Sequence, residues 1–339
     1  MVRAMDPVFA AWLASTTEEA IEPSLEICDP HHHLWDHPNE RFLVEELKAE
    51  TGAGHNVSET VYVDCMSGYF ADGPAAMAPV GEVVFAAEQA ARSATTAGAR
   101  IAAIVGCADL RLGDGVKPVL EAMIERGNGL FSGIRHATAW DPDPKVNRSH
   151  MRPEQGEMGS AAFRRGFEVL TGELGLSFDA WMYHPQLPEL LDLARAYPEA
   201  TIVLDHLGGP LGIGPYRGRR EEIMAWWRPI MTQIGSCPNV FLKVGGIGMS
   251  IYGLDLHKGE TAPSSDDLVT AWGEPMRHAI DAFGPSRCMF ESNFPVDRRG
   301  CSYVVLWNAF KKTAAAAGYS ATEKADLFRG AARRAYRIA

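Results

Sequence analysis

Short β-rich runs alternate with helical patterns along the whole chain, and that alternation restricts the fold to a parallel sheet with crossover helices. The strand-like runs fall at 25–32, 60–65, 101–108, 131–135, 177–182, 201–205, 240–244 and 288–292. Helical periodicity separates them at 83–97, 115–125, 161–174, 188–196, 221–234, 267–282 and 304–316. Eight strands with interleaved helices fit an α/β fold of the (β/α)8 TIM-barrel type, whose usual size is ~250 residues before insertions. The chain has 339 residues. The surplus falls to an N-terminal helix, a tail helix at 321–337 and Gly/Pro-rich stretches after the second, fourth, sixth and seventh strands. The expected organisation is therefore a helical extension over 1–24 and a barrel with long post-strand loops over 25–339. A doubly wound open sheet ranks below it, because no Gly-rich phosphate fingerprint follows the first strand.

Charge and cysteine usage exclude some partners. There are 32 basic and 43 acidic residues, a net charge of −11, which argues against a nucleic-acid backbone or an anionic membrane. The six cysteines show no CxxC spacing and sit mostly in or beside apolar runs, as small buried residues do in a reducing compartment. The apolar patch Val8 to Ala14 is too short to span a membrane and lacks the flanks of a secretory signal. It reads as an amphipathic helix packed on a cytoplasmic protein. The expected partner is a small-molecule substrate, with room left for a homo-oligomer.

In such barrels the chemistry lies at the carboxyl ends of the strands. His31 and His33 follow the first strand, Arg135 and His136 the fourth, and His184 the fifth. The sixth ends in Asp205-His206, the seventh carries Lys243, and the eighth carries Glu291, Ser292 and Asn293 ahead of Asp297. On a strand, His31 and His33 share one face and His32 takes the other, so two imidazoles can reach one metal ion, for which neutral imidazole is a common ligand. Taken singly, His206 could cap a turn, His136 could be a satisfied interior histidine, and Lys243 could be an ion-pair partner. Six of the 11 histidines at strand ends is more than structure alone accounts for.

The stretches Asp29-Pro30-His31-His32-His33-Leu34-Trp35, Gly133-Ile134-Arg135-His136, His184-Pro185-Gln186-Leu187, Leu204-Asp205-His206-Leu207-Gly208 and Glu291-Ser292-Asn293-Phe294-Pro295-Val296-Asp297 together resemble the amidohydrolase-related proteins of the amidohydrolase superfamily. The nearest likeness is to the branch with 2-pyrone-4,6-dicarboxylate lactonase, 4-sulfomuconolactone hydrolase and sugar lactonases. It spans nearly the whole chain, tail helix included. The resemblance implies a barrel with one divalent cation, often Zn²⁺, held by His31, His33 and His184 and a carboxylate from the last strand. Mn²⁺ accepts the same donors.

The family's last-strand aspartate is Asn293 here, but Glu291, two residues earlier, faces the same way. In one reading Glu291 joins the metal ligands beside Asn293 and metal-activated water opens a small carboxylated or aromatic-derived lactone. In the other the barrel is metal-free and its histidines orient the carbonyl. Glu291 is the first expected base and Asp297 the reserve, while His206 and Lys243 would stabilise an oxyanion or hold a substrate carboxylate. Arg135, His136, Tyr69, Trp140, Tyr183, Arg217, Arg219 and Tyr252 are the expected substrate contacts. A metal-dependent aromatic-acid decarboxylase ranks second, because those relatives carry Glu-x-His at the first strand and keep the last aspartate. A barrel retained only for binding ranks third.

Overall fold

A computed structural model describes residues 6–38, 40–146 and 149–339. Eight parallel strands lie in chain order in one sheet: β1 Glu26–His32, β2 Asn56–Val63, β3 Arg100–Gly106, β4 Phe131–Arg135, β5 Ser177–Ala180, β6 Ile202–Leu204, β7 Val240–Val244 and β8 Cys288–Phe290. The ends of the sheet meet just beyond β8. Asn293 N–H donates to His31 O at 2.9 Å and His33 N–H to Phe294 O at 2.8 Å, while Ser292 N–H donates to Asp29 Oδ1 at 2.9 Å. The result is a (β/α)8 barrel, closed by the same motif that carries the histidine triplet.

Helices follow the strands as the periodicity predicts, with two additions in the loop after β1: an antiparallel hairpin of Trp35–His37 with Glu40–Phe42, and a helix over Val44–Thr51. β2 starts at Asn56 rather than at 60, because Glu26 and Ile27 pair with Asn56 and Val57. Its polar start is stabilised by an Arg100–Glu59 ion pair at 2.7 Å. The N-terminal helix is Pro7–Leu13, capped by Asp6 accepting from Val8 and Phe9 N–H. Trp12 Nε1–H donates to Gly259 O at 2.9 Å, tying this helix to the loop after β7. No helix among the described residues is long and apolar enough to cross a membrane, and all six cysteines are unpaired.

Inside the barrel the layers differ sharply. Cys28, Val61, Val63, Ala103, Val105, Val203 and Met289 form an apolar cluster with Ala331, Ala332, Ala335 and Tyr336 of the tail helix. The tail thus plugs the end opposite the strands' carboxyl rim. The next layer is ionisable: Asp179, Asp205, Lys243, Glu291 and His31, all with no solvent exposure. Strict alternation would put Cys28 and His31 on opposite faces. A register irregularity between Asp29 and His32 lets both face inward.

His32 turns outward, its ring 6.0 Å from that of Tyr62, and burial depresses its pKa from 6.5 to about 3. Between those values the unfolded chain binds the proton and the folded chain does not. Stability therefore falls as pH drops through this window, by about 1.4 kcal/mol per pH unit for this group. His32→Leu is expected to flatten the acid side of a Tm-versus-pH profile. An unchanged slope would mean that other groups control acid unfolding.

Candidate active site

The carboxyl rim opens into a cavity of about 280 Å³ whose wall includes His33, Arg135, His150, Trp181, His206 and Asn293. Beneath the wall, Glu291 lies between two imidazoles. Its Oε1 accepts from His206 Nδ1 at 2.6 Å and from the His206 backbone N–H at 3.2 Å, and its Oε2 lies 2.9 Å from His31 Nδ1. With Nδ1–H committed to a carboxylate, the nitrogen of His206 left for the cavity is Nε2, which then carries the lone pair. The His206 ring is fixed further by the edge of Trp181, 4.9 Å between centroids, and its carbonyl accepts from Tyr252 Oη–H at 2.9 Å. His206 and Asn293 both hold φ near +54°, a conformation that costs a non-glycine residue about 1–2 kcal/mol and is found where geometry serves function.

Two cations flank His31. Lys243 Nζ lies 3.1 Å from Nδ1 and Arg135 Nη1 3.3 Å from Nε2. Lys243 is held by Asp179 Oδ2 at 2.6 Å and Asp205 Oδ1 at 3.0 Å. Arg135 is held by Asp64 Oδ1 at 2.7 Å and lies 3.8 Å from Asp205 Oδ2. Burial works against the Lys243 charge, but Asp179, Asp205 and Glu291 outweigh it and raise its pKa. Asp205 is likewise opposed by burial, yet Lys243 and Arg135 hold it below the usual carboxylate range. Burial raises Asp179 to about 6, against the pull of Lys243. Burial first, and then Lys243, drive the His31 pKa well down, so the ring is neutral.

His31, Asp205 and His206 bring ligand atoms within 4.8 Å of one another, and in donor type that set suits a divalent ion. The charges around it do not. Both nitrogens of His31 and both oxygens of Asp205 already face an ammonium or a guanidinium at 3.0 to 3.8 Å. A dication there would have to displace the ammonium and the guanidinium from those atoms. The residues as arranged do not fit a divalent metal at His31.

His184 does not reach His31 and His33. The chain runs on through Trp181, Met182 and Tyr183 after β5, and it is Trp181 that packs on His206. The His184 ring lies against Tyr216 and Trp226, and its Nδ1 accepts from Leu211 N–H at 3.2 Å. It joins two loops, which corrects the expectation of a third ligand. Glu291 is brought to the histidines, but it is fully buried and absent from the cavity wall, with one oxygen committed to His206, so it is placed to act on an imidazole and not on water. Asp297 is buried with Oδ1 accepting from Asn293 Nδ2 at 2.8 Å and Oδ2 from Gly248 N–H at 2.9 Å. Burial raises its pKa to about 7. It orients Asn293 and is not placed to serve as a base.

His136 is an interior histidine, its Nδ1 accepting from Leu110 N–H at 3.1 Å and its Nε2 3.0 Å from Glu157 Oε1. Arg217 is exposed beside Asp255 at 3.6 Å, and Arg219 pairs with Glu222 at 2.6 Å. Neither lines the cavity. Trp140 offers its backbone carbonyl to Gln186 Nε2 at 2.9 Å. Tyr252 supports the His206 loop, and Tyr69 bonds the Cys107 thiol. Tyr183 does line the cavity, donating its hydroxyl to Val146 O at 2.9 Å.

Asp64 and Asp179, which together with Asp205 hold the two cations, were not legible as site residues, although Asp64 directly follows a strand. A second overlooked signal is the Gly245-Gly246 pair after β7. A Cβ on Gly246 would stand 2.6 Å from His206 Cγ and Nδ1, at φ +67°. Gly246→Ala is expected to push the imidazole aside and lower kcat by about 10²-fold, the scale of a 1 Å misplacement. Steady-state kinetics check this, and an unaltered kcat would show that the ring tolerates displacement.

A barrel with ionisable groups converging on its carboxyl rim has its candidate active site where (β/α)8 enzymes carry theirs. Residues 28–338 match the family model described as amidohydrolase, and the chain belongs to that family. An uncharacterised protein of Sinorhizobium fredii, y4mH, is 32% identical over 92% of this chain and 98% of its own length. An L-fucono-1,5-lactonase of Burkholderia multivorans is 28% identical over 71% of this chain and 73% of its own length. A Burkholderia multivorans amidohydrolase crystallised with bound zinc superposes with a TM-score of 0.71 at 24% identity, covering 92% of this chain and 99% of that one. That likeness concerns the fold.

Proposed function

We propose that this chain hydrolyses a small cyclic ester, a sugar-derived or carboxylated lactone, and does so without a resident metal. The observation that carries the reading is the Glu291–His206 hydrogen bond of 2.6 Å, which leaves His206 Nε2 as the base. Water gives its proton to Nε2 while its oxygen bonds to the lactone carbonyl carbon, and the carbonyl electron pair moves onto oxygen. Arg135, on the cavity wall, stabilises that oxyanion. Collapse breaks the ring C–O bond, and the leaving oxygen recovers the proton from His206. The product is an open-chain hydroxy acid.

Support comes from three sides. A cavity of about 280 Å³ lies at the small end of ligand sites and suits a single ring. A relative at 28% identity is named L-fucono-1,5-lactonase. The cations around His31 take the place of the ion that a metal-assisted route would need. The test is acid release from a panel of aldonolactones, L-fucono-1,5-lactone included, by chelator-treated protein and by His206→Asn. Chelation is expected to leave turnover unchanged and His206→Asn to abolish it. Activity lost on chelation and restored by Zn²⁺ would overturn the metal-free route, and an active His206→Asn protein would overturn the base assignment.

A further inference from the structure

On the wall of the same cavity lies a second cluster of ligating atoms, to which the proposed hydrolysis assigns no chemical step. Asp64, Cys107 and His150 each offer an atom within 4.8 Å of the others. Cys107 Sγ is 4.0 Å from His150 Nε2 and 3.6 Å from Met151 Sδ. Around a tetrahedral cation with metal–sulfur bonds of about 2.3 Å and metal–nitrogen bonds of about 2.0 Å, ligand atoms stand about 3.5–3.8 Å apart. The observed separations are near those of such edges. Asp64 is buried, and while its Oδ1 accepts from Arg135 Nε, its Oδ2 has no hydrogen-bond partner among the described residues, a costly state for a buried carboxylate.

We propose that Cys107, Met151, His150 and Asp64 form a site for one thiophilic d¹⁰ cation, distinct from the His31–His206 cluster. Thiolate and thioether donors select such ions, and imidazole and carboxylate complete the shell. The contrast with His31 is one of access to the donor atoms. There, the ammonium of Lys243 and the guanidinium of Arg135 already stand against both nitrogens of His31 and both oxygens of Asp205, whereas here the thiolate and Asp64 set two negative charges against the single guanidinium of Arg135. On binding, the Cys107 thiol loses its proton to solvent as the sulfur–metal bond forms. Entry is from the cavity, where His150 is exposed on the wall. Cys107 is 2% exposed, and burial drives its thiol pKa well up. Without the cation it is a buried thiol that does not line the substrate cavity.

The test is Cd²⁺ titration of the full chain, followed by the thiolate-to-cadmium charge-transfer band in the ultraviolet. One equivalent is expected in the wild-type protein and in His31→Asn, with the band lost in Cys107→Ser and in His150→Ala. Absence of the band in the wild-type protein, its loss in His31→Asn, or its persistence in either Cys107→Ser or His150→Ala overturns the site. His150→Ala removes an exposed side chain, so the test survives if Cys107→Ser fails to fold. Because the readout is metal stoichiometry and not turnover, its result is independent of whether the hydrolase reading stands.

Discussion

Glu291→Gln is expected to lower kcat by about 10³- to 10⁴-fold, the scale on which loss of the carboxylate that sets a catalytic imidazole's tautomer acts, while the barrel stays folded. Glu291 faces His206 Nδ1 at 2.6 Å and His31 Nδ1 at 2.9 Å with an oxygen each. An acceptor-only carboxylate takes the His206 proton whichever oxygen faces the ring. An amide has one accepting oxygen and one NH2, so in one of its two orientations it turns the NH2 toward His206. If His206 receives the NH2, its own proton moves to Nε2 and the lone pair facing the cavity disappears. Turnover across a pH series, with imidazole ¹⁵N shifts of both proteins, checks the point. Wild-type kcat in Glu291→Gln would show that the carboxylate does not set the tautomer of the base.

Lys243→Met is expected to cost about 3–5 kcal/mol of stability, the usual loss when one partner of a buried ion pair is removed, and so to lower Tm on the order of 10 °C. The ammonium has no solvent exposure and neutralises Asp179 at 2.6 Å and Asp205 at 3.0 Å. Methionine fills much of the same volume but leaves the two carboxylates facing each other. One of them must then take up a proton, so the destabilisation should ease as pH falls toward 5. Tyr336 of the tail helix donates to the same Asp179 oxygen at 2.7 Å, so the barrel plug should loosen as well. Calorimetric scans at two pH values measure both effects. A Tm unchanged at neutral pH would mean that the buried lysine contributes nothing to the fold.

The strand ends were readable because two rules are local. Strand residues alternate faces, which put His31 with His33 and Glu291 with Asn293, and barrel chemistry gathers at the carboxyl rim, which singled out Arg135, His206 and Lys243. Neither rule reaches through a loop. Three residues between the end of β5 and His184 carried that imidazole to Tyr216 and Trp226 and put Trp181 at the site. Nor could a pattern tell that His136 is tied to Glu157, or that Asp297 serves Asn293.

The amino-acid order by itself determined the element sequence and the barrel, because hydrophobic period and turn residues are properties of neighbouring positions. It also set which side chains would stand at the rim. The three-dimensional packing alone decided what those side chains do: that Glu291 orients imidazoles, that Lys243 and Arg135 stand beside His31 where an ion would lie, and that Cys107 meets His150 and Met151. Hydrogen-bond partners separated by 85 to 212 residues are chosen by distances of a few ångströms, and those depend on loop paths and a register shift that no local periodicity records.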